Sequence, residues 1–320
     1  MYFWLFQLIK MDNLKILLTP IIFFLLLGGS LLADDHCFTS SLPDGVSEIK
    51  INHEGSVREY RAYIPQSYNR SLPLPVIINF HGTGSNADQQ AKYSDLDRIA
   101  EDKKFIHINP QGKNLNGKQV FNAGLTMNSP TNKRDFSEEP RDDVSFTRSI
   151  ISDLSSKICI DSSRVYATGM SNGGRMSYRL ACEATDLFAA IAPVAGVLSL
   201  EAKDCNPSRP ISTLSFHGTS DLVSRYDKPG GFSTISAPDM FALWAKKNNC
   251  SDSPEITFKK EDVTCQTYDS CGSSKEEITL CTIENGGHCW PGRFCFRGAS
   301  YTINASEMIV DFFLKNKIKK

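Results

Sequence analysis

The sequence lacks a surplus of either charge: 35 Lys and Arg stand against 36 Asp and Glu in 320 residues, a formal net charge of −1. Without a basic surplus there is no electrostatic footprint for nucleic acid or an anionic membrane surface, which excludes a partner held mainly through phosphates. CxxC and His-x3-5-His spacings are also missing, so the ten cysteines are not laid out as a zinc site. No internal repeat, low-complexity tract or long Pro/Ser linker follows residue 34, and one domain over 34–320 is the simplest organisation.

An even set of cysteines without metal spacing points instead to disulfides in an oxidising compartment. The N-terminus agrees: residues 16–33 (ILLTPIIFFLLLGGSLLA) are an almost unbroken apolar run behind Lys15, ending near Gly28, Gly29 and Ser30. Residues 1–33 therefore read as a secretory signal peptide, the competing role being an uncleaved membrane anchor. Met11 opens the more typical signal sequence, leaving Met1 and Met11 as alternative starts. Cleavage implies a secreted chain with no stable membrane contact. Three triplets, beginning at Asn69, Asn249 and Asn304, would then be glycosylation acceptors.

Downstream, β-rich segments fall at 47–52, 58–64, 76–80, 105–108, 164–168, 189–194, 211–216 and 277–283, several apolar throughout. Strands buried on both faces of a parallel sheet read this way. Helical patterns alternate with them at 95–102, 144–157, 173–182, 238–247 and 305–316. The expected fold is α/β: a mostly parallel, doubly wound sheet of about eight strands with helices on both faces. Asp142 and Asp143 precede the apolar periodicity of one helix, which makes capping their expected role. The polar stretches 109–140 and 222–236 are expected at the strand C-terminal edge, as substrate loops.

The strongest chemical signal is Gly169-Met170-Ser171-Asn172-Gly173, which lies between a strand and a helix. In this nucleophile elbow the turn is so tight that side chains two residues before and after the serine would collide. Ser171 is thereby raised above the sheet edge, and the Asn172 amide opens the helix as an oxyanion donor. A serine hydroxyl needs a base. In the order nucleophile, acid, histidine, only His217 and His288 follow the elbow. Acids that could serve His217 have no strand-end position, whereas Asp221 follows a strand through His217-Gly218-Thr219-Ser220 and precedes His288. The expected triad is Ser171, Asp221 and His288, with Asp227 the reserve acid. A second oxyanion amide is expected at Thr83, on the glycine turn that leaves strand 76–80.

With these residues in place the chain resembles the polyhydroxybutyrate depolymerase and feruloyl esterase group of secreted α/β-hydrolase esterases, often classed in carbohydrate esterase family one. The resemblance runs over residues 45–315. Its specific parts are His217-Gly218-Thr219-Ser220-Asp221 and Gly287-His288-Cys289-Trp290-Pro291-Gly292. It implies an α/β-hydrolase fold and the same triad and oxyanion pair. It further implies hydrolysis of esters carried by a polysaccharide, a polyester or a small molecule, without metal or organic cofactor. Trp290 is then a candidate lining residue for an aromatic acyl pocket, with packing under the histidine loop as its competing role, and His81 is a second candidate lining residue. A serine peptidase and a catalytically inactive binding protein of the same fold are the alternative functions.

Six of the ten cysteines fall between Cys250 and Cys295, around His288. The expected pairs are Cys289–Cys295, Cys250–Cys271, Cys265–Cys281, Cys182–Cys205 and Cys37–Cys159. Together they imply that disulfides fix the loop that aims the base.

Overall fold

The computed structural model describes residues 41–66, 68–124, 142–200, 202–229, 234–250, 253–272 and 276–319. The signal-peptide segment 1–33, Cys37, and parts of both expected substrate loops (125–140 and 230–233) lie outside them. In chain order the elements begin with β1 (Gly45–His53), β2 (Ser56–Ile64), β3 (Leu74–Phe80), α1 (Ala87–Ser94), α2 (Leu96–Lys103) and β4 (Ile106–Pro110). They continue with β5 (Lys113–Leu115), β6 (Lys118–Val120), α3 (Asp143–Ser155), β7 (Ile160–Met170), α4 (Asn172–Glu183) and β8 (Ala190–Val194). The last are β9 (Ser212–Gly218), α5 (Ala237–Lys247), β10 (Glu255–Lys260), β11 (Val263–Cys271), β12 (Glu276–Ile283) and α6 (Ala305–Lys315).

Ten of the strands form one sheet in the order β1-β2-β4-β3-β7-β8-β9-β12-β11-β10. The run from β4 to β12 is parallel, and every residue of β3, β4, β8 and β9 is buried. Their apolar character is what a sheet covered on both faces requires. Successive residues serve opposite faces: Val76 and Ile78 join a core with Phe146, Ile150 and Leu180, whereas Ile77 joins Leu96, Ile309 and Phe313. Helices α3, α4 and α5 thus cover one face and α2 and α6 the other.

The sheet has ten strands where about eight were expected. The two additions, β10 and β11, form an antiparallel hairpin that pairs onto β12 at the sheet edge. β10 is almost wholly exposed and β11 alternates buried with half-exposed residues, so neither presents the apolar run of a central strand. The separate two-stranded sheet of β5 and β6 turns on Asn116 and Gly117, both with positive φ (52° and 77°). Asn-Gly is the sequence mark of such a hairpin.

Sheet edge and helix layer are tied by charge. The Arg61 guanidinium donates to both oxygens of Asp97 (3.2 and 2.6 Å), and His107 Nδ1 lies 2.7 Å from Asp97 Oδ1. Burial pushes the Asp97 carboxyl up, but the His107 and Arg61 hydrogen bonds and charges outweigh it and hold the carboxyl at about 2. A depressed carboxylate stabilises the fold above its unfolded-state pKa and loses that contribution as pH falls through the folded value. Asp97→Asn is expected to lower unfolding free energy by roughly 2 kcal/mol at pH 7. In urea titrations the deficit should shrink between about pH 4 and pH 2; an equal deficit at pH 7 and pH 2.5 would contradict this assignment.

Disulfides join Cys182 to Cys205, Cys250 to Cys271, Cys265 to Cys281 and Cys289 to Cys295. Cys159 is disulfide-bonded as well, and its expected partner Cys37 lies outside the described residues. Asn69 and Asn249 are exposed. Asn304 differs: its Oδ1 accepts the Ser306 amide as the cap of α6, and Ser306 is buried with its hydroxyl on the Ser94 carbonyl. In the folded chain that triplet is a helix cap. Among the described residues no helix is long and apolar enough to cross a membrane.

Candidate active site

Ser171, Asp221 and His288 follow three parallel strands of the sheet, β7, β9 and β12, with β8 between the first two. Ser171 follows β7 with φ 56° and ψ −110°, a left-handed backbone that a non-glycine residue holds only where its surroundings impose it. They do so here: the Ser171 amide donates to Val194 O (2.9 Å) and its carbonyl accepts from the Arg175 amide (3.0 Å) as α4 begins. Gly169 and Gly173 pack against the Phe80 carbonyl, where a Cβ on Gly169 would stand 2.5 Å from the oxygen and one on Gly173 closer still. The glycine spacing is therefore a matter of backbone approach between the elbow and β3.

Asp221 lies in the turn after β9. Its Oδ1 accepts the amides of Val223 and Ser224 (both 2.8 Å), and its Oδ2 lies 2.7 Å from His288 Nδ1. Burial raises this carboxyl, but the His288 hydrogen bond, the neighbouring imidazoles and the Ser224 amide turn the balance, so it is held below the usual carboxylate range. With Nδ1–H given to Asp221, His288 keeps Nε2 as an acceptor. His288 and Ser171 line the same cavity of about 410 Å3, together with Gly82, Thr83, Gln89, Gln90, Tyr93 and Met170. Asp227, the reserve acid, is exposed.

One wall comes from a helix outside the expected elements, and the expected substrate loop 109–140 braces the rest. Helix α1, capped by Asn86 through the Gln89 amide, supplies Gln89, Gln90 and Tyr93. Asn172, at the first turn of α4, uses its side chain to bond both backbone groups of Phe121 (2.8 and 3.1 Å). The Gly84 amide meets Gln119 O (2.8 Å), so the β5–β6 hairpin is fastened to both the elbow and the Gly82–Thr83 turn. Asp142 caps α3 as expected. Asp143 departs from that role: its buried carboxylate takes the Arg58 guanidinium (2.7 Å) and the Asn122 amide (2.6 Å), anchoring the segment beside Phe121. Arg175, four residues past Ser171 and buried, donates to Ser224 Oγ (2.5 Å) and so joins α4 to the turn that holds Asp221.

Two expected lining residues are not in the cavity wall. Trp290 has no exposed surface and donates its indole N–H to Ser306 Oγ (3.0 Å), packing in the core beneath the histidine loop. His81 is likewise fully buried, with Nδ1 on Gly82 O (2.8 Å) and Nε2 accepting the Gly112 amide (3.0 Å). Burial drives its pKa to about 4, so the ring stays neutral and braces the turn that carries Thr83. His217 is also committed to backbone, donating from Nε2 to Ser224 O (2.6 Å), and burial lowers its pKa. Among the described residues no group of three or more His, Cys, Asp or Glu is disposed to hold a metal ion.

Comparison with known proteins follows the same lines. The model of the prolyl oligopeptidase family matches residues 140–241, which include Ser171 and Asp221. Feruloyl esterase B of Piromyces equi is 32% identical over 236 residues, 70% of this chain and 41% of that protein. Feruloyl esterase D of Neurospora crassa is 28% identical over 187 residues, 55% of this chain and 57% of that protein. This chain thus spans roughly half the length of these two relatives. An acetyl xylan esterase from Aspergillus awamori superimposes with a TM-score of 0.60 at 14% identity, over 83% of this chain and 98% of that structure, a likeness of fold. By fold the chain is an α/β-hydrolase, and by sequence it groups with the feruloyl esterase-like members of that fold.

Proposed function

We propose that the chain is a secreted serine carboxylic-ester hydrolase that cleaves polysaccharide-linked feruloyl or acetyl esters through an acyl-enzyme. The observation that carries this reading is the alignment of Asp221 on His288 Nδ1, with His288 and Ser171 in one cavity. Ser171 Oγ attacks the ester carbonyl carbon and passes its proton to His288 Nε2, while buried Asp221 stabilises the imidazolium. The carbonyl oxygen gains the negative charge between the Asn172 and Thr83 amides, each such donor being worth roughly 3 kcal/mol in the transition state. When the C–O bond breaks, His288 protonates the departing alcohol, and a water activated in the same way releases the acid. Polyester-type esters are the other substrate class of this reading; the names of a feruloyl esterase and an acetyl xylan esterase among the similar proteins favour polysaccharide-linked esters.

Secretion fits a leader at 1–33 ahead of one esterase domain at 34–320, and is supported by the disulfides, which an oxidising compartment preserves. A peptidase reading draws on the prolyl oligopeptidase match, which stops short of His288. Assays with p-nitrophenyl acetate, methyl ferulate, acetylated xylan and a chromogenic peptide separate the two. Turnover of the esters with no peptide cleavage is expected; cleavage of the peptide alone would reverse the assignment.

A further inference from the structure

Phe296 is 97% and Phe294 69% exposed, and no other phenylalanine among the described residues is exposed. The two rings lie edge to face with centroids 5.5 Å apart. Apolar rings held in water without a core to join mark a contact surface. Their position is tied to the candidate site. The loop that carries them begins at His288, and the Cys289–Cys295 bond closes it, with Cys295 between the two rings. On the cavity side the Trp290 amide donates to the hydroxyl of cavity-lining Tyr93 (3.3 Å). The Arg293 guanidinium donates to Ser94 O (3.1 Å) and Asp95 Oδ2 (3.0 Å). The Phe pair therefore sits on a loop closed by a disulfide and fastened, through Trp290 and through Arg293 beside Phe294, to Tyr93 and the end of the helix that carries it.

From this placement we infer that Phe294 and Phe296 form a docking platform for the sugar chain that bears the ester. The inference rests on the esterase reading for one step. His288 hands its proton to the departing alcohol, so the alcohol emerges beside His288 and its carrier must pass along the loop that starts there. The cavity of about 410 Å3 has room for an acyl group and not for a polymer, which must lie outside it. A pyranose ring offers apolar C–H faces that stack on the electron-rich face of an aromatic ring. Exposed Arg297 follows Phe296 and adds a hydrogen-bond donor suited to the hydroxyl rim of such a ring.

The test separates binding from turnover. Ser171→Ala protein is run through native gels containing soluble xylan, with and without Phe294→Ala/Phe296→Ala. Xylan should retard the first and not the second, and Phe296→Tyr should restore retardation to a Phe296→Ala protein. In the active enzyme the double substitution should lower kcat/KM on acetylated xylan relative to p-nitrophenyl acetate by roughly tenfold, mainly through KM, the effect of losing two partly buried phenyl rings. Circular dichroism of the double variant, whose changes lie on exposed side chains, checks that it is folded. Retardation that survives the double substitution, no retardation of either protein, or adsorption to polystyrene beads and not to xylan overturns the platform. Failure of the wild type to turn over either ester overturns the esterase reading alone, and the gel experiment still decides the platform.

Discussion

Replacing Ser171 by alanine should reduce kcat on p-nitrophenyl acetate or methyl ferulate by about 10⁴-fold or more and leave the fold intact. The change removes one oxygen from a side chain that faces the cavity and leaves the main-chain bonds to Val194 and Arg175 in place. The left-handed φ of Ser171 is retained because alanine also carries a Cβ, so the local backbone cost is similar in both proteins. Residual activity would come from the two amides and from binding. The melting temperature should therefore stay near that of the wild type, and a collapse in both activity and stability would assign Ser171 a structural role instead.

Gly173→Ala is expected to have the largest effect on the fold. A Cβ there would overlap the Phe80 carbonyl oxygen and carbon, which belong to the buried β3 and cannot move aside as a flexible side chain would. Relief would require separating α4 from β3 at the point where the elbow packs, a cost of about 3 kcal/mol or more, at the severe end of overpacking substitutions. Chemical denaturation should show a large loss of stability. Activity should fall with it because the same displacement moves Ser171. An unchanged denaturation midpoint would show that the elbow is looser than the contact with Phe80 requires.

These two sites were legible because their chemistry dictates sequence. An elbow needs glycines where the backbone touches Phe80, and an acid and a base must follow at strand ends, which located Asp221 and His288. The central strands were legible for a similar reason, since burial on both faces leaves an apolar run. Edge elements obey no such rule. β10 (Glu-Ile-Thr-Phe-Lys-Lys) is solvent-facing and charged, and α1 (Ala-Asp-Gln-Gln-Ala-Lys-Tyr-Ser) carries too few apolar residues to show a periodic face. The Asn116-Gly117 turn was a readable hairpin signal and would have placed β5 and β6.

Roles that depend on a partner distant in sequence were the hardest to read. Trp290 follows His288 by two residues, yet Ser306 takes its indole N–H and the surrounding core takes its ring. His81 ends a strand at the site edge, but Gly82 and Gly112 occupy both ring nitrogens. The bonds from Asn172 to Phe121, Arg175 to Ser224 and Asp143 to Asn122 join segments separated by 51, 49 and 21 residues, and nothing local announces them. The first two hold the Ser171 and Asp221 turns against a neighbour and the third anchors the segment beside Phe121, so the geometry of the candidate site depends on residues without a motif.

The most direct measurement is intact-mass and peptide analysis of the protein after reaction with a fluorophosphonate, which traps an activated serine as a stable phosphonyl ester. One adduct per chain on Ser171, absent from Ser171→Ala and strongly slowed in His288→Ala, is the predicted result. An adduct on another serine, or no adduct on a preparation that hydrolyses esters, would contradict the assignment of Ser171 as the nucleophile.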